Sequence, residues 1–274
     1  MSDRILLFVP MYNCAKQVPR VIAQLTPEVR ELLAEILVID NRSPDNGPQA
    51  ATEALAKLGD FPSKLVINDG NYGLGGSQKV AFTYALENGF DYVIMLHGDD
   101  QGSIADIVPA LRRGDHRDVD ALLGARFMKG STLPGYSAIR TLGNHVFNAI
   151  YSVATGMAIK DLGSGLNMYR VSSLADRWWL RNADDLTFNY HMIVRSAQAG
   201  WKMRFFPLNW REDDQVSNVK LVSQTLRVAR LPLAYTFRRR AYLAHDYARR
   251  PGEPYPWTLF SRNGVIVDGG AAAA

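Results

Sequence analysis

The chain has 274 residues, of which 47% are hydrophobic and 21% charged, and carries a formal net charge of +4. This composition fits a globular chain that buries a full core, and a single cysteine, Cys14, excludes an internal disulfide framework. The start, MSDRILLFVP, is too short for a signal peptide and no later run approaches about 18 apolar residues, so a cytoplasmic chain that does not span a membrane is expected.

In chain order, Ile5 to Val9 predicts a buried strand closed by Pro10, followed by a helix over Ala15 to Leu25 with Asn13 as its cap. Ile36 to Asp40 predicts a second strand, which runs into the turn NRSPDNG before a helix from about Gln49 to Leu58. Leu65 to Asn68 is a third strand, followed by NDGNYGLGGSQK and a helix to about Asn88. The glycines from Gly70 to Gly76 match neither a dinucleotide fingerprint nor a phosphate loop. They read either as a plain strand-to-helix joint or as a place where backbone approaches a ligand, with helix amides available to an anion. Strands alternating with helices imply an α/β fold with a mostly parallel sheet and ligands at the carboxyl ends of the strands.

Tyr92 to Leu96 is a fourth buried strand that ends abruptly in HGDDQ. Alternation along an extended segment puts His97, Asp99 and Gln101 on one side, a nitrogen and oxygen set for a divalent cation, with Asp100 facing away. The bland alternative is a polar turn after a strand. Further on, a helix is expected over Thr187 to Ala199 and a strand over Met203 to Pro207.

From Lys220 to Arg250 there are eight basic residues against one acid, Asp246. No nucleic-acid motif accompanies them. They are interleaved with Leu226, Leu231, Leu233, Tyr235 and Phe237, which suits an anionic membrane surface, and Pro232 is expected to break the helix in two. The alternative is that Leu226, Leu231, Tyr235 and Phe237 pack on the catalytic domain or on a second subunit. The terminal GGAAAA reads as disordered.

Taken together, Pro10-x-Tyr12-Asn13, Asp40-Asn41-x-Ser43, Asn71-x-Gly73 and HGDDQ resemble family 2 of the glycosyltransferases, which have the nucleotide-sugar-binding A-type fold. Within that family the likeness is to polyprenyl-phosphate sugar synthases such as dolichyl-phosphate mannose synthase, and it runs from about Arg4 to Lys220. It implies a catalytic domain over 1–220, with a donor half to about 101 and an acceptor half over 102–220. A basic amphipathic helical appendage over 221–268 and a disordered end over 269–274 would follow.

The resemblance also implies roles. The donor nucleotide sugar, a UDP- or GDP-sugar, would lie against Pro10, Tyr12, Asn13, Asp40, Asn41, Asn71, Gly73, Lys79, Gly98 and Asp99. Arg211, Ser217 and Lys220 would close over its diphosphate. The family's D-x-D-x-Q reads His97-x-Asp99-x-Gln101, implying Mn²⁺ or Mg²⁺ on Asp99 first, Gln101 next and His97 last. An imidazole in place of a carboxylate suits Mn²⁺ better than Mg²⁺.

On the acceptor side, GARF and Arg140-x-x-x-Asn144-x-x-x-Asn148 resemble the segments that hold the acceptor phosphate. Arg126, Arg140, Asn144 and Asn148 are thus assigned to it, with Ser164 from the DLGSGLNMYR block. The other reading of Arg126 and Arg140 is that they are solvated surface charges. Asp99, Arg126, Arg140 and Arg211 make up the catalytic set.

Relatives that glycosylate a sugar hydroxyl carry an acidic base where this chain has Phe188 and Asn189. An ionised phosphate needs no base. Asp184 and Asp185, one turn upstream, are either recruits for that role or acids at a helix start. The expected activity is therefore inverting, metal-dependent transfer of a sugar to a polyprenyl phosphate at the cytoplasmic membrane face, by a chain free to be a homo-oligomer. Transfer to a sugar hydroxyl and non-catalytic nucleotide-sugar binding are the alternatives.

Overall fold

The computed structural model describes residues 3–212, 221–267 and 272–273. The first half is β1 (Ile5–Met11), α1 (Val18–Ala23), α2 (Pro27–Arg30), β2 (Glu35–Asp40), α3 (Gly47–Ala56), β3 (Ser63–Asn68), α4 (Gly73–Glu87) and β4 (Tyr92–Leu96). The second half is α5 (Val108–Arg113), β5 (Ala121–Ala125), α6 (Ala138–Thr155), β6 (Leu166–Arg170), α7 (Phe188–Gln198), β7 (Met203–Pro207), α8 (Leu221–Phe237), α9 (Arg239–Ala244), β8 (Trp257–Arg262), β9 (Val265–Ile266) and β10 (Ala272–Ala273).

Every residue of β1 and β4 is buried, the pattern of central strands covered on both faces. Alternation along β1 sends Leu7, Val9 and Met11 into one apolar layer with α1 and α3, and Leu6 and Phe8 into the other with α4 and α7. The strand order is β10-β8-β3-β2-β1-β4-β6-β5-β7, with β9 paired to β8. The pairs β3/β2, β2/β1, β1/β4 and β5/β7 are parallel, while β6 runs antiparallel to both β4 and β5. The carboxyl ends of β1, β2, β3, β4, β5 and β7 therefore share one edge with the entry to β6. That edge collects Pro10 to Asn13, Asp40, Asn68, His97, Arg126, Ser164 and Arg211.

Four expectations are corrected here. Asn13 does not cap a helix at Ala15; it is left-handed, its amide donates to Ser43 Oγ at 2.9 Å, and α1 begins at Val18. The segment after residue 220 is not an appendage. Val228, Leu231 and Tyr235 of α8 and Tyr242 of α9 are buried in the core layer that holds α4 and α7, and the packing on both sides of Pro232 keeps α8 continuous through it. β8 then adds an antiparallel strand beside β3. Leu233 and Phe237 are exposed, and Leu226's side chain lies outside what is described. Of the expected disordered end, Ala272 and Ala273 pair with Thr258 and Trp257, and 268–271 and Ala274 lie outside the described residues.

Candidate active site

The donor-side residues gather where β1, β2 and β3 end. Asp40 is buried; one carboxylate oxygen accepts from the Ser43 amide at 3.1 Å, and the other is buried with no hydrogen-bond partner among the described residues. Burial pushes the Asp40 pKa up against the pull of those hydrogen bonds. Asn41 ties the neighbouring loop down: Oδ1 accepts from Asn68 Nδ2 at 3.1 Å and from the Tyr72 amide at 2.8 Å, and Nδ2 donates to Asn71 Oδ1 at 2.9 Å. Asn71 and Tyr12 are exposed. The Gly98 amide donates to Pro10 O at 3.0 Å, stitching the end of β4 to the end of β1.

The two aspartates of HGDDQ have opposite environments. Asp100, left-handed and buried, accepts from Arg20 Nε at 2.7 Å, from Gln24 Nε2 at 3.1 Å and from the Arg211 guanidinium. Asp99 has no lysine or arginine partner among the described residues; its Oδ2 lies 3.9 Å from His97 Nδ1. Burial pulls the His97 pKa down, Asp99 opposes this, and the Arg126 charge adds to it. A neutral imidazole facing a carboxylate with no lysine or arginine partner among the described residues is a donor set that fits a divalent cation. His97 Nε2 is also buried with no partner among the described residues. Gly165 makes the room: a Cβ there would lie 2.9 Å from His97 Nδ1 and 2.8 Å from the Trp210 ring. The left-handed turn at Asp100 ends the strict alternation, and Gln101 lines a cavity of about 410 Å³ with Asp100, Arg20, Trp210 and Arg211.

The residues expected to hold the acceptor gather around one that sequence reasoning overlooked, Tyr136. The Arg126 guanidinium stands 5.9 Å from its ring centroid and that of Arg140 4.4 Å, while Asn144 Nδ2 donates to its hydroxyl at 3.1 Å. Arg126 is buried and pairs with Asp161 through Nε at 2.8 Å and Nη2 at 2.9 Å, with Trp210 on its face at 5.3 Å. Burial disfavours its charge, and Asp161 more than offsets this, holding the guanidinium above its usual range. Arg126 is thus not a solvated surface charge. Arg140 is exposed and bonds Glu212 at 2.7 Å. Asn148 and Ser164 face inward: Asn148 Nδ2 donates to Lys160 O at 2.7 Å, and Ser164 Oγ donates to Asn167 Oδ1 at 2.9 Å.

Three other assignments are placed differently. Lys79 is fully buried, its ammonium donating to Asp184 Oδ1 at 2.6 Å, Asn182 O at 2.6 Å and Tyr255 Oη at 3.0 Å, so it holds α4 to the 182–184 segment rather than reaching a donor. The Gly75 and Gly76 amides, expected to be available to an anion, donate to Asp184 O at 2.8 and 3.2 Å. The close approach there is to the chain's own backbone, since a Cβ at Gly75 would meet Ala183 O at 2.4 Å. Arg211 Nε donates to Asp100 O at 2.9 Å, and its partners in the expected diphosphate loop, Ser217 and Lys220, lie outside the described residues.

One edge of the sheet thus carries a buried carboxylate at Asp40, the cation-compatible pair His97 and Asp99, and the two-arginine pocket around Tyr136. Residues 7–178 match the family model for glycosyl transferase family 2, and the chain belongs to that family. It is a glycosyltransferase with the A-type α/β fold. It is similar to the undecaprenyl-phosphate mannosyltransferase of Micrococcus luteus, 26% identical over 219 residues that cover 76% of this chain and 84% of the relative. It is also 26% identical over 166 residues to the undecaprenyl-phosphate 4-deoxy-4-formamido-L-arabinose transferase of Pseudomonas fluorescens, covering 60% of this chain and 46% of that one. In fold it resembles glucosyl-3-phosphoglycerate synthase of Mycobacterium tuberculosis, crystallised with Mn²⁺, uridine diphosphate and phosphoglyceric acid. The TM-score is 0.61 at 12% identity, over 99% of this chain and 86% of the other.

Proposed function

We propose that the protein transfers a sugar, with inversion, from a nucleoside-diphosphate sugar to a polyprenyl phosphate. The observation that carries this reading is the pairing of two guanidiniums around Tyr136 with neighbouring carboxylates, and acids ahead of α7, that are each held by a cation. Asp161 is held by Arg126, Asp184 is bonded to Lys79, and Asp185 accepts from Thr187 and pairs with Arg227 at 2.9 Å. The Thr187 hydrogen bonds and Arg227 outweigh burial and keep Asp185 ionised below its usual range. Among the described residues the carboxylates around the two arginines are engaged by cations, which favours an acceptor that arrives already ionised. The two undecaprenyl-phosphate relatives point the same way.

In this reading Asp40 and Asn71 contact the donor nucleotide, and Asp99, with His97 and Gln101, holds a divalent cation. When bound, that cation compensates the charge of the departing diphosphate. Arg140 and Asn144 grip the acceptor phosphate, and Arg126, pinned by Asp161, offers its remaining N–H groups from a fixed position. One acceptor oxygen attacks the anomeric carbon, the bond from that carbon to the diphosphate oxygen breaks, and the nucleoside diphosphate leaves without a proton transfer. The test is a panel of UDP- and GDP-sugars offered with a short-chain polyprenyl phosphate and Mn²⁺. A sugar-phosphate lipid is the expected product, and free sugar alone, or no turnover with any donor, would overturn the assignment.

A further inference from the structure

The helix α6 is apolar on two sides, with Phe147, Tyr151 and Ala154 packed on the core and a second apolar stripe facing outward. Ile139, Leu142, Val146, Ile150 and Val153 recur at intervals of three and four, which places them on one face. All five are exposed, Ile139 at 84% and Val153 at 86%. The face turned to the protein is already filled by Phe147, Tyr151 and Ala154, and Asn148 and Tyr151 donate to Lys160 O and Val228 O at 2.7 and 2.8 Å. A helix on a water-facing surface has a polar outer face, because apolar area left in water forgoes the main favourable contribution to folding.

The surroundings indicate what covers this face. The helix contains no acidic residue and one charged residue, Arg140. The exposed cations Lys129 and Lys160 stand in the segments that lead into and out of it. An exposed apolar stripe on a helix without acids, with lysines in the segments on either side of it in the chain, matches an anionic lipid surface. The same helix carries Arg140 and Asn144, which meet Tyr136 in the acceptor pocket, so the stripe is continuous with the site. No helix among the described residues is long and apolar enough to cross a membrane.

We propose that α6 is the membrane-docking element, lying among lipid headgroups with its aliphatic face at the acyl boundary and presenting Arg140 and Asn144 to a lipid phosphate. This rests on the polyprenyl-phosphate reading and moves the docking surface away from the basic stretch after residue 220, whose Leu231 and Tyr235 are buried in the core. A polyprenyl phosphate keeps its phosphate at the interface and its chain in hydrocarbon, and a helix in that plane meets it without extracting it.

The experiment is co-sedimentation with phosphatidylcholine vesicles containing phosphatidylglycerol. Three chains are compared: the natural one, the triple variant Leu142→Ser, Val146→Ser, Ile150→Ser, and the triple variant Arg238→Glu, Arg239→Glu, Arg240→Glu. The serine variant is expected to lose more than about tenfold in vesicle partitioning. It should keep its melting temperature and its turnover of a water-soluble, short-chain polyprenyl phosphate, while transfer to a long-chain acceptor in vesicles falls with binding. The glutamate variant should lose less. Unchanged partitioning of the serine variant overturns the proposal, as does a dimer of the natural chain that ignores vesicles and dissociates on the serine substitutions, which would assign the face to a second copy. Vesicle binding that needs α6 in a chain that turns over no polyprenyl phosphate would uphold the docking surface and refute the acceptor.

Discussion

Asp161 holds Arg126 three times: its carboxylate accepts from the Arg126 backbone amide at 2.9 Å, from Nε at 2.8 Å and from Nη2 at 2.9 Å. Both side chains are buried, so neither charge has water to fall back on. Asp161→Ala should therefore destabilise the fold by roughly 3–5 kcal/mol, as should Arg126→Ala, and the double substitution should cost much less than the two together. Urea denaturation of the four chains measures this. Simple additivity would mean that the pair contributes nothing as a pair.

Arg140 belongs to the same pocket but is exposed, so its removal should leave stability unchanged. Arg140→Ala should raise the KM for a polyprenyl phosphate by about tenfold or more, since hydrogen bonds to a charged group are worth roughly 1.5–3 kcal/mol. The KM for the donor should stay within about twofold, because the lost interaction is with the other substrate. Equal losses for donor and acceptor would assign this arginine to the wrong one.

The contrast between Asp99 and Asp100 gives the third expectation. Asp100 already has Arg20 and Arg211, whereas Asp99 faces His97. Asp99→Ala should abolish both transfer and Mn²⁺ binding measured by calorimetry. His97→Asp should retain transfer and shift ion preference towards Mg²⁺, because a carboxylate is the harder ligand. Full transfer by Asp99→Ala in metal-free buffer would remove the cation from Asp99.

Much of the donor half was legible in the sequence because each of its strands is a short apolar run ended by polar residues, as at Asp40 and His97. The acceptor half was harder. Arg126 and Asp161 are 35 residues apart, and nothing in either segment signals that they pair. Tyr136 looks like an ordinary loop aromatic until α6 brings Arg140 onto it. Lys79, assigned to the donor by the resemblance, was misplaced because its partner, Asp184, comes from a segment 105 residues away that does not signal the pairing. β8 was overlooked although a signal was present: Asn263 and Gly264 both have positive φ and form the turn of the β8/β9 hairpin. Counting arginines after residue 220 hid the spacing of Val228, Leu231 and Tyr235, which places that stretch in the core.

His191 supplies a pH dependence. It is buried against Tyr242, whose hydroxyl lies 2.8 Å from Nδ1, and burial first, then the Arg195 charge, push its pKa down from 6.5 to about 3. The unfolded imidazole takes up a proton below about 6.5 and the folded one does not, so acid favours unfolding across the window between the two values. Stability should fall by roughly 1 kcal/mol more per pH unit between pH 6 and 4 in the natural chain than in His191→Leu. Chemical denaturation at a series of pH values checks this. Equal slopes for the two chains would show that His191 titrates normally in the fold.

The most direct measurement compares two acceptors of identical chain length, a short polyprenyl phosphate and the corresponding polyprenol, in the presence of Mn²⁺ and the best donor from the panel. Only the first arrives with an ionised oxygen; Asp161 and Glu212, beside the pocket, are engaged by Arg126 and Arg140, and Asp184 and Asp185 by Lys79 and Arg227. Transfer to the phosphate, with no transfer to the alcohol, is the expected result. Comparable transfer to the alcohol, or transfer to a sugar hydroxyl that depends on Asp184 or Asp185, would contradict it.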